Sequence, residues 1–257
     1  MSCSRRALLK NAVKGVVAAS LPISAFKLLS PAELKAAIGD DKVRWGFLVD
    51  TTKCVGCGFC VKACKIENEI PYDAAITRTW VERYVVTKDD KHHADSPMGA
   101  RDGFTSPQIR HEEEINPDDI AKAFFVPKLC NQCETPACVQ VCPVGATYQT
   151  KDGVTLIDRD WCIGCGYCVM ACPYGVRFFH PKYKVADKCN FCYHRISKGL
   201  KTACVDACPF GARKISNLKD ENDPVTQIIM SERVAVLKDE YGTKPQVFYI
   251  GLDHTVK

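Results

Sequence analysis

Sixteen of the chain's seventeen cysteines fall into four runs of four, and that spacing restricts the fold more than any other feature of the sequence. The clearest run reads Cys162-x2-Cys165-x2-Cys168-x3-Cys172, with Pro173 after it. This is the ligand run of a [4Fe–4S] cluster. Three thiolates arrive on a tight loop and grip one cubane. The fourth, on the helix that follows, points away and serves a neighbouring cluster. The first run, Cys54, Cys57, Cys60 and Cys64, has the same spacing but carries Lys65 where proline is expected. The second, Cys130, Cys133, Cys138 and Cys142 with Pro143, is one loop wider. The fourth, Cys189, Cys192, Cys204 and Cys208 with Pro209, holds an 11-residue insertion containing His194, Arg195 and Lys198. Those charges read as a solvated loop, with tuning of the nearest cluster as the alternative. Only Cys3 stands apart. Disulfide frameworks belong mostly to shorter secreted chains, and zinc sites to C-x2-C pairs set far apart. Iron is therefore the favoured reading over both.

In a two-cluster ferredoxin the fourth cysteine of each run completes the cluster of its partner. Runs two and three lie close in sequence and form one such module, which leaves runs one and four to pair around it. The expected ligand sets are Cys54, Cys57, Cys60 and Cys208 for cluster 1, and Cys130, Cys133, Cys138 and Cys172 for cluster 2. Cluster 3 takes Cys162, Cys165, Cys168 and Cys142, and cluster 4 takes Cys189, Cys192, Cys204 and Cys64. Val55, Phe59, Ile163, Tyr167, Val144 and Phe210 are expected to shield the sulfurs from water. The amides of Gly56, Gly58, Gly164 and Gly166 are candidate donors to them.

The formal charge of +5 belongs to one end of the chain. Arg5, Arg6, Lys10, Lys14, Lys27, Lys35, Lys42 and Arg44 face only Glu33, Asp40 and Asp41 in residues 1–44, and the remainder is neutral. No basic nucleic-acid surface follows from such a distribution. Residues 1–30 resemble a twin-arginine leader, with Arg5 and Arg6 ahead of a weakly apolar stretch from Ala12 to Leu29. Such a route carries folded proteins, so clusters can be inserted before export to the periplasm. No clear cleavage site is visible, which keeps an uncleaved anchor open. Residues 31–44 read as a linker, and 45–257 as the cluster-bearing domain.

The coarse pattern is α+β: two interlocked bacterial-type 2[4Fe–4S] ferredoxin-like modules of short strands, short helices and long loops. Strands are expected at Trp45–Val49, Thr79–Val86, Ala121–Val126 and Arg177–His180, with a hairpin over Tyr148–Asp158 turning at Asp152-Gly153. Helices are expected over about Phe59–Asn68 and, from the spacing of Val225, Ile228, Ile229 and Val236, over Pro224–Leu237. Lys88–Asp119 reads as an inserted solvated loop, with a docking arm as the alternative. Its His92, His93 and His111 have no spacing that fixes a metal or haem site, and His180 and His254 read as structural or solvated.

With these residues in place, the sequence resembles the four-cluster, ferredoxin-like electron-transfer subunits of membrane-associated respiratory oxidoreductases. It is most similar in pattern to those of tetrathionate reductases, and also to those of polysulfide and thiosulfate reductases and of the cytochrome nitrite reductase pathway. The resemblance rests on Cys54-Val55-Gly56-Cys57 with Lys65-Ile66-Glu67-Asn68, on Leu129-Cys130-Asn131-Gln132-Cys133, on Ala186-Asp187-Lys188-Cys189-Asn190-Phe191-Cys192 and on Val247-Phe248-Tyr249-Ile250-Gly251-Leu252-Asp253. It implies four [4Fe–4S] clusters and no catalytic residues. It also implies two partners: a polytopic quinol-oxidising membrane subunit, and a molybdopterin catalytic subunit or multihaem cytochrome. Lys88–Asp119 departs from the pattern. Competing readings are a zinc-stapled interaction scaffold and a free cytosolic polyferredoxin. No nucleotide-binding glycine motif is present to support an enzyme of its own.

Overall fold

The computed structural model describes residues 38–104 and 115–256. The twin-arginine segment, Cys3, residues 31–37 of the linker and His111 lie outside the described residues. The first strand, β1 (Trp45–Asp50), and the last occupy neighbouring positions in one sheet. Its order is β10 (Val234–Ala235), β11 (Val247–Ile250), β1, β9 (Arg213–Asn217). β11 runs parallel to β1 with Phe47 opposite Val247, and β9 runs antiparallel to it with Phe47 opposite Ile215. Run one thus leaves from β1 while run four returns into β9, so the sheet draws the two runs together. Phe47, Val49, Val247 and Tyr249 are fully buried beneath it with Phe191 of run four.

Each run is followed or entered by a short helix, and proline sets its length. α2 (Ala137–Gln140), α3 (Tyr167–Met170) and α5 (Ala203–Asp206) span four residues each and stop before Cys142-Pro143, Cys172-Pro173 and Cys208-Pro209. A residue preceding proline is pushed out of the helical region. Run one has no such proline, and α1 (Phe59–Glu67) continues for nine residues through Cys64. Lys65, buried in that extra turn, donates from Nζ to the carbonyls of Pro71, Ala74 and Ile76 at 3.2, 2.7 and 2.9 Å. It pins the loop that follows. α1 packs on α5 and α2 packs on α3, which are the two pairings expected from the runs.

A second sheet orders β3 (His92–Asp95), β2 (Thr79–Thr87) and β4 (Ile120–Leu129). β5 (Thr147–Gln149) and β6 (Thr155–Ile157) form the expected hairpin, with Gly153 at φ 83° in its turn. Asp152 of that turn accepts from Trp45 Nε1 at 3.1 Å and from Tyr193 Oη at 3.1 Å. One buried carboxylate thereby ties β1 and α4 (Tyr193–Ile196) to the hairpin. β7 (Phe178–Phe179) pairs with β8 (Ala186–Asp187), a shorter version of the strand expected at Arg177–His180. The end of the linker is also seated, since Ile38 accepts from the amide of Lys151 at 2.8 Å.

Two expectations need correction. Lys88–Asp119 is more than a solvated loop in its described part. β3 pairs with β2, bringing Arg83 and Asp95 into an ion pair at 2.7 Å. Ala100 and Phe104 are buried against the loop of run one. That loop needs glycine there: a Cβ on Gly58 (φ 76°) would strike the Ala100 carbonyl. The second correction is at Pro224–Leu237. α6 covers Pro224–Ser231, capped by Asp223, which accepts from Val225 N at 2.8 Å. The chain then turns extended at Glu232, and Val234–Ala235 joins the sheet as its edge strand. Val236 sits outside the helix, and of α6 only Thr226 is buried. Its hydroxyl pairs with Ser216 at 2.6 Å.

Candidate iron–sulfur centres

The ligand loops repeat one backbone conformation. The residue before the second cysteine is left-handed in every run: Gly56 at φ 68°, Gln132 at 45°, Gly164 at 70° and Phe191 at 52°. This turn aims successive amides and thiols at a common centre, the geometry of an anion-binding nest. Glycine takes it without strain in runs one and three. In runs two and four the side chains are held by packing and hydrogen bonds. Phe191 stacks near Phe47 with ring centroids 5.4 Å apart. Gln132 donates to the Cys189 carbonyl at 2.8 Å and accepts from the Thr155 amide at 2.8 Å. Gln132 therefore joins the loop of run two to that of run four, across the two modules.

All sixteen described cysteines are free thiols, and their surroundings sort them into groups. Burial raises the Cys54 thiol's pKa, Cys57 and Cys208 push it further, and the Gly56 amide and Arg213 oppose them. Burial pushes Cys60 up to about 11, against Arg213, with Cys204, Cys54 and Cys57 adding to it. Cys64 is raised well above the usual thiol range by burial and then by Cys189, Cys204 and Cys192. Cys133 goes up to about 11 by burial, with Cys130, Cys138 and Cys172 beside it. Those last four thiols line one cavity together with Arg177 and Thr155. The expected sets for clusters 1, 2 and 4 are thus drawn together in space. For cluster 3, the link between Cys142 and the loop of Cys162, Cys165 and Cys168 is the packing of α2 on α3. Cys142 alone among the shifted thiols goes down. The amides of Thr147, Val144 and Ala146 overcome its desolvation, and Thr147 N lies 3.4 Å from its sulfur.

A donor set of this kind fits iron–sulfur cubanes. Buried thiols bind metal as thiolates and give up their protons to it. Two buried arginines, Arg213 and Arg177, face the thiols and leave guanidinium nitrogens without hydrogen-bond partners. They match the net negative charge that a four-thiolate cluster carries.

The shielding residues stand differently from expectation. Val55, Phe59, Tyr167 and Phe210 are each about half exposed, and Ile163 more so. They cover the loops as lids whose outer faces meet solvent. The charged insertion residues fare differently too. His194 Nε2 lies 2.6 Å from Glu67 Oε1, and Arg195 reaches Glu67 at 3.0 Å and also Asp206. They latch run four to α1, while Lys198 is exposed. His180 is fully buried and His254 is exposed at the tail.

Sequence reasoning passed over a polar chain that supports cluster 4. Asp187 takes both Nη2–Oδ contacts of Arg78 at 2.8 Å, and Arg78 Nη1 donates to Asn68 Oδ1 at 2.5 Å. Asn68 Nδ2 in turn reaches Cys64 Sγ at 3.4 Å. Arg78 and Asp187 are both nearly inaccessible to water. Replacing Arg78 takes from the buried Asp187 carboxylate its bidentate partner and leaves the Arg159 guanidinium, at 3.6 Å, as its remaining ion pair. We expect Arg78→Met to cost about 3–5 kcal/mol, read as a lower temperature for bleaching of the visible absorbance. A variant as heat-resistant as the parent would show that the pair is not structural. Asn68 and Asp187 fall inside the motifs that carry the family resemblance, but Arg78 carries no spacing signature.

The fold and its thiols define a multi-cluster ferredoxin-like electron carrier. Residues 53–146 and 121–218 each match a 4Fe-4S dicluster domain. The sequence is 38% identical over 217 residues to a tetrathionate reductase subunit of Salmonella typhimurium, covering 84% of this protein and 75% of that one. It is 39% identical to a tetrathionate reductase subunit of Archaeoglobus fulgidus, covering 81% and 83%. It is also 35% identical to the arsenate respiratory reductase iron-sulfur subunit of a Shewanella species, covering 81% and 96%. The protein belongs to this family of iron–sulfur, electron-transfer subunits of reductase complexes. It carries four [4Fe–4S] clusters in two dicluster domains and is not the catalytic subunit.

Proposed function

We propose that the protein relays electrons, by way of its four clusters, between a quinone-reactive membrane subunit and a catalytic partner, a molybdopterin subunit or a multihaem cytochrome, on the periplasmic side. The ligand sets are the four crossed sets expected from the runs. The observation that carries the relay is the succession of thiols. Cys60 of cluster 1 neighbours Cys204 of cluster 4, and Cys189 of cluster 4 neighbours Cys130 of cluster 2. Arg177 lies between Cys138 of cluster 2 and Cys168 of cluster 3. This succession supports the order 1, 4, 2, 3, with clusters 1 and 3 at the two ends.

Both ends carry exposed apolar side chains. Val55, Phe59 and Phe210 lie beside cluster 1, and Trp161, Ile163, Tyr167 and Met170 beside cluster 3. Two such surfaces support two partners, one at each end. Among the described residues no helix is long and apolar enough to cross a membrane, so attachment rests on a partner or on the leader. The paired Arg5 and Arg6 support export already folded. The relatives' names support a reductase of an oxidised sulfur compound, with tetrathionate the first acceptor to try.

Affinity isolation of the full chain from solubilised membranes tests the proposal. A polytopic subunit and a large cofactor-bearing subunit should accompany it, and the isolated complex should pass electrons from a reduced quinol to tetrathionate. Recovery of the protein alone from the cytosol, with its first thirty residues intact, would overturn both the location and the partners.

A further inference from the structure

The last cysteines of runs three and four open the same six-residue pattern: Cys172-Pro173-Tyr174-Gly175-Val176-Arg177 and Cys208-Pro209-Phe210-Gly211-Ala212-Arg213. After Cys142 the pattern holds through Pro143 and Gly145 but ends in Thr147, and after Cys64 it is absent. One arginine therefore occurs per module, on one side of each internal pseudo-repeat.

The fold puts the two arginines in equivalent places. Arg213 faces Cys60, Cys204 and Cys54, which are the third cysteine of run one, the third of run four and the first of run one. Arg177 faces Cys138, Cys168 and Cys130, the matching positions of runs two and three. Both side chains are buried. Arg213 Nη1 donates to Thr79 Oγ1 at 2.9 Å, and Arg177 Nη1 to Thr147 Oγ1 at 3.3 Å. Arg213 Nη2 and Arg177 Nε and Nη2 are buried without a partner. Neither guanidinium forms an ion pair with a carboxylate among the described residues. A buried cation needs an opposite charge, and in both places the cysteine sulfurs that face it can supply it as cluster thiolates.

We infer that Arg213 and Arg177 are paired tuning cations, Arg213 holding up the reduction potential of the cluster completed by Cys208 and Arg177 that of the cluster completed by Cys172. The inference rests on the ligand sets of the proposed relay. Its physics is simple. Reduction adds an electron to an already anionic group, and burial alone opposes that. A fixed positive charge at contact range favours the reduced form and raises the potential, one of the levers by which proteins set cluster potentials. The third cysteine of the mate run also lies against each arginine, so the mate cluster feels a weaker effect.

The test is redox titration followed by electron paramagnetic resonance, on full-length Arg213→Gln and Arg177→Gln proteins whose iron and sulfide contents equal the parent's. Arg213→Gln should lower the midpoint of one cluster above all, the one lost in Cys208→Ser. Arg177→Gln should lower a different one. Arg213→Lys and Arg177→Lys keep the charge and should return each midpoint toward the parent value. Unchanged midpoints at full iron content would overturn the tuning role and leave the relay standing. An equal fall in all four clusters would overturn it too, as would a lysine variant that falls as far as the glutamine one. If one glutamine variant fails to load, the other decides, because the claim covers both sites. A parent protein without four distinct clusters would overturn the relay and this inference together.

Discussion

Stripping the iron under anaerobic conditions is expected to unfold most of residues 45–256, not merely to bleach the protein. In the proposed ligand sets, clusters 1 and 4 join residues far apart in sequence, Cys54 to Cys208 and Cys64 to Cys189. Without iron the four-stranded sheet loses the cross-ties beneath it. The thiols left behind take up protons, since burial holds Cys60 and Cys133 near 11 and Cys64 higher still. Arg213 and Arg177 then keep their charge with nothing opposite. An uncompensated buried charge costs about 3–5 kcal/mol, and a domain's whole stability is about 5–15 kcal/mol. Two stranded arginines therefore take away much of that margin, even before the lost metal–sulfur bonds are considered. Far-ultraviolet circular dichroism and limited proteolysis before and after chelation check this. An iron-free protein that keeps its spectrum and resists protease would show that the polypeptide packs on its own.

The second large effect concerns a single atom. Cys208→Ser should damage cluster 1, the one proposed to be held by Cys54, Cys57 and Cys60, although Cys208 lies in run four. About a quarter of the iron should be lost or held only weakly, because serine oxygen is a poorer match than thiolate for this metal. The Cys54 thiol already has Cys208 among the charges that act on it. The cluster of Cys189, Cys192 and Cys204 should keep its resonance. Loss of that resonance alone, with cluster 1 untouched, would show the crossed pairing to be wrong.

Much of this was legible because the ligand spacing is rigid. Four loops and the strands expected at Trp45–Val49 and Thr79–Val86, each observed one residue longer, follow from cysteine positions and from alternation of apolar residues. The absent proline at Lys65 was visible, but its consequence was not. The longer α1 and the three carbonyls around Nζ depend on the Pro71–Ile76 loop folding back. Composition misled at Lys88–Asp119, where polar residues hide the small side chains that press Ala100 onto Gly58. Spacing misled at Val236, whose apolar period matches the helix although Glu232 has already left it. The arginines could have been found. The repeat after Cys172 and Cys208 is visible in the sequence, but the fold is what shows which thiols face its last position. Gln132 acts across the modules and Arg78 joins run one to run four within one of them, and pairing over such distances leaves no local trace.

The parallel placement of β11 beside β1 has a bearing on the timetable of synthesis. Chains emerge from the ribosome amino end first, and domains fold as units once complete. Runs two and three can close as soon as residues 130–172 are free, but runs one and four wait for β9, and β1 lacks its second neighbour until Ile250 is made. The portion translated first is therefore among the last to be secured. A nascent protein halted before Val247 would hold a finished inner half and an open outer one, and release of the final strand is the step that commits the whole.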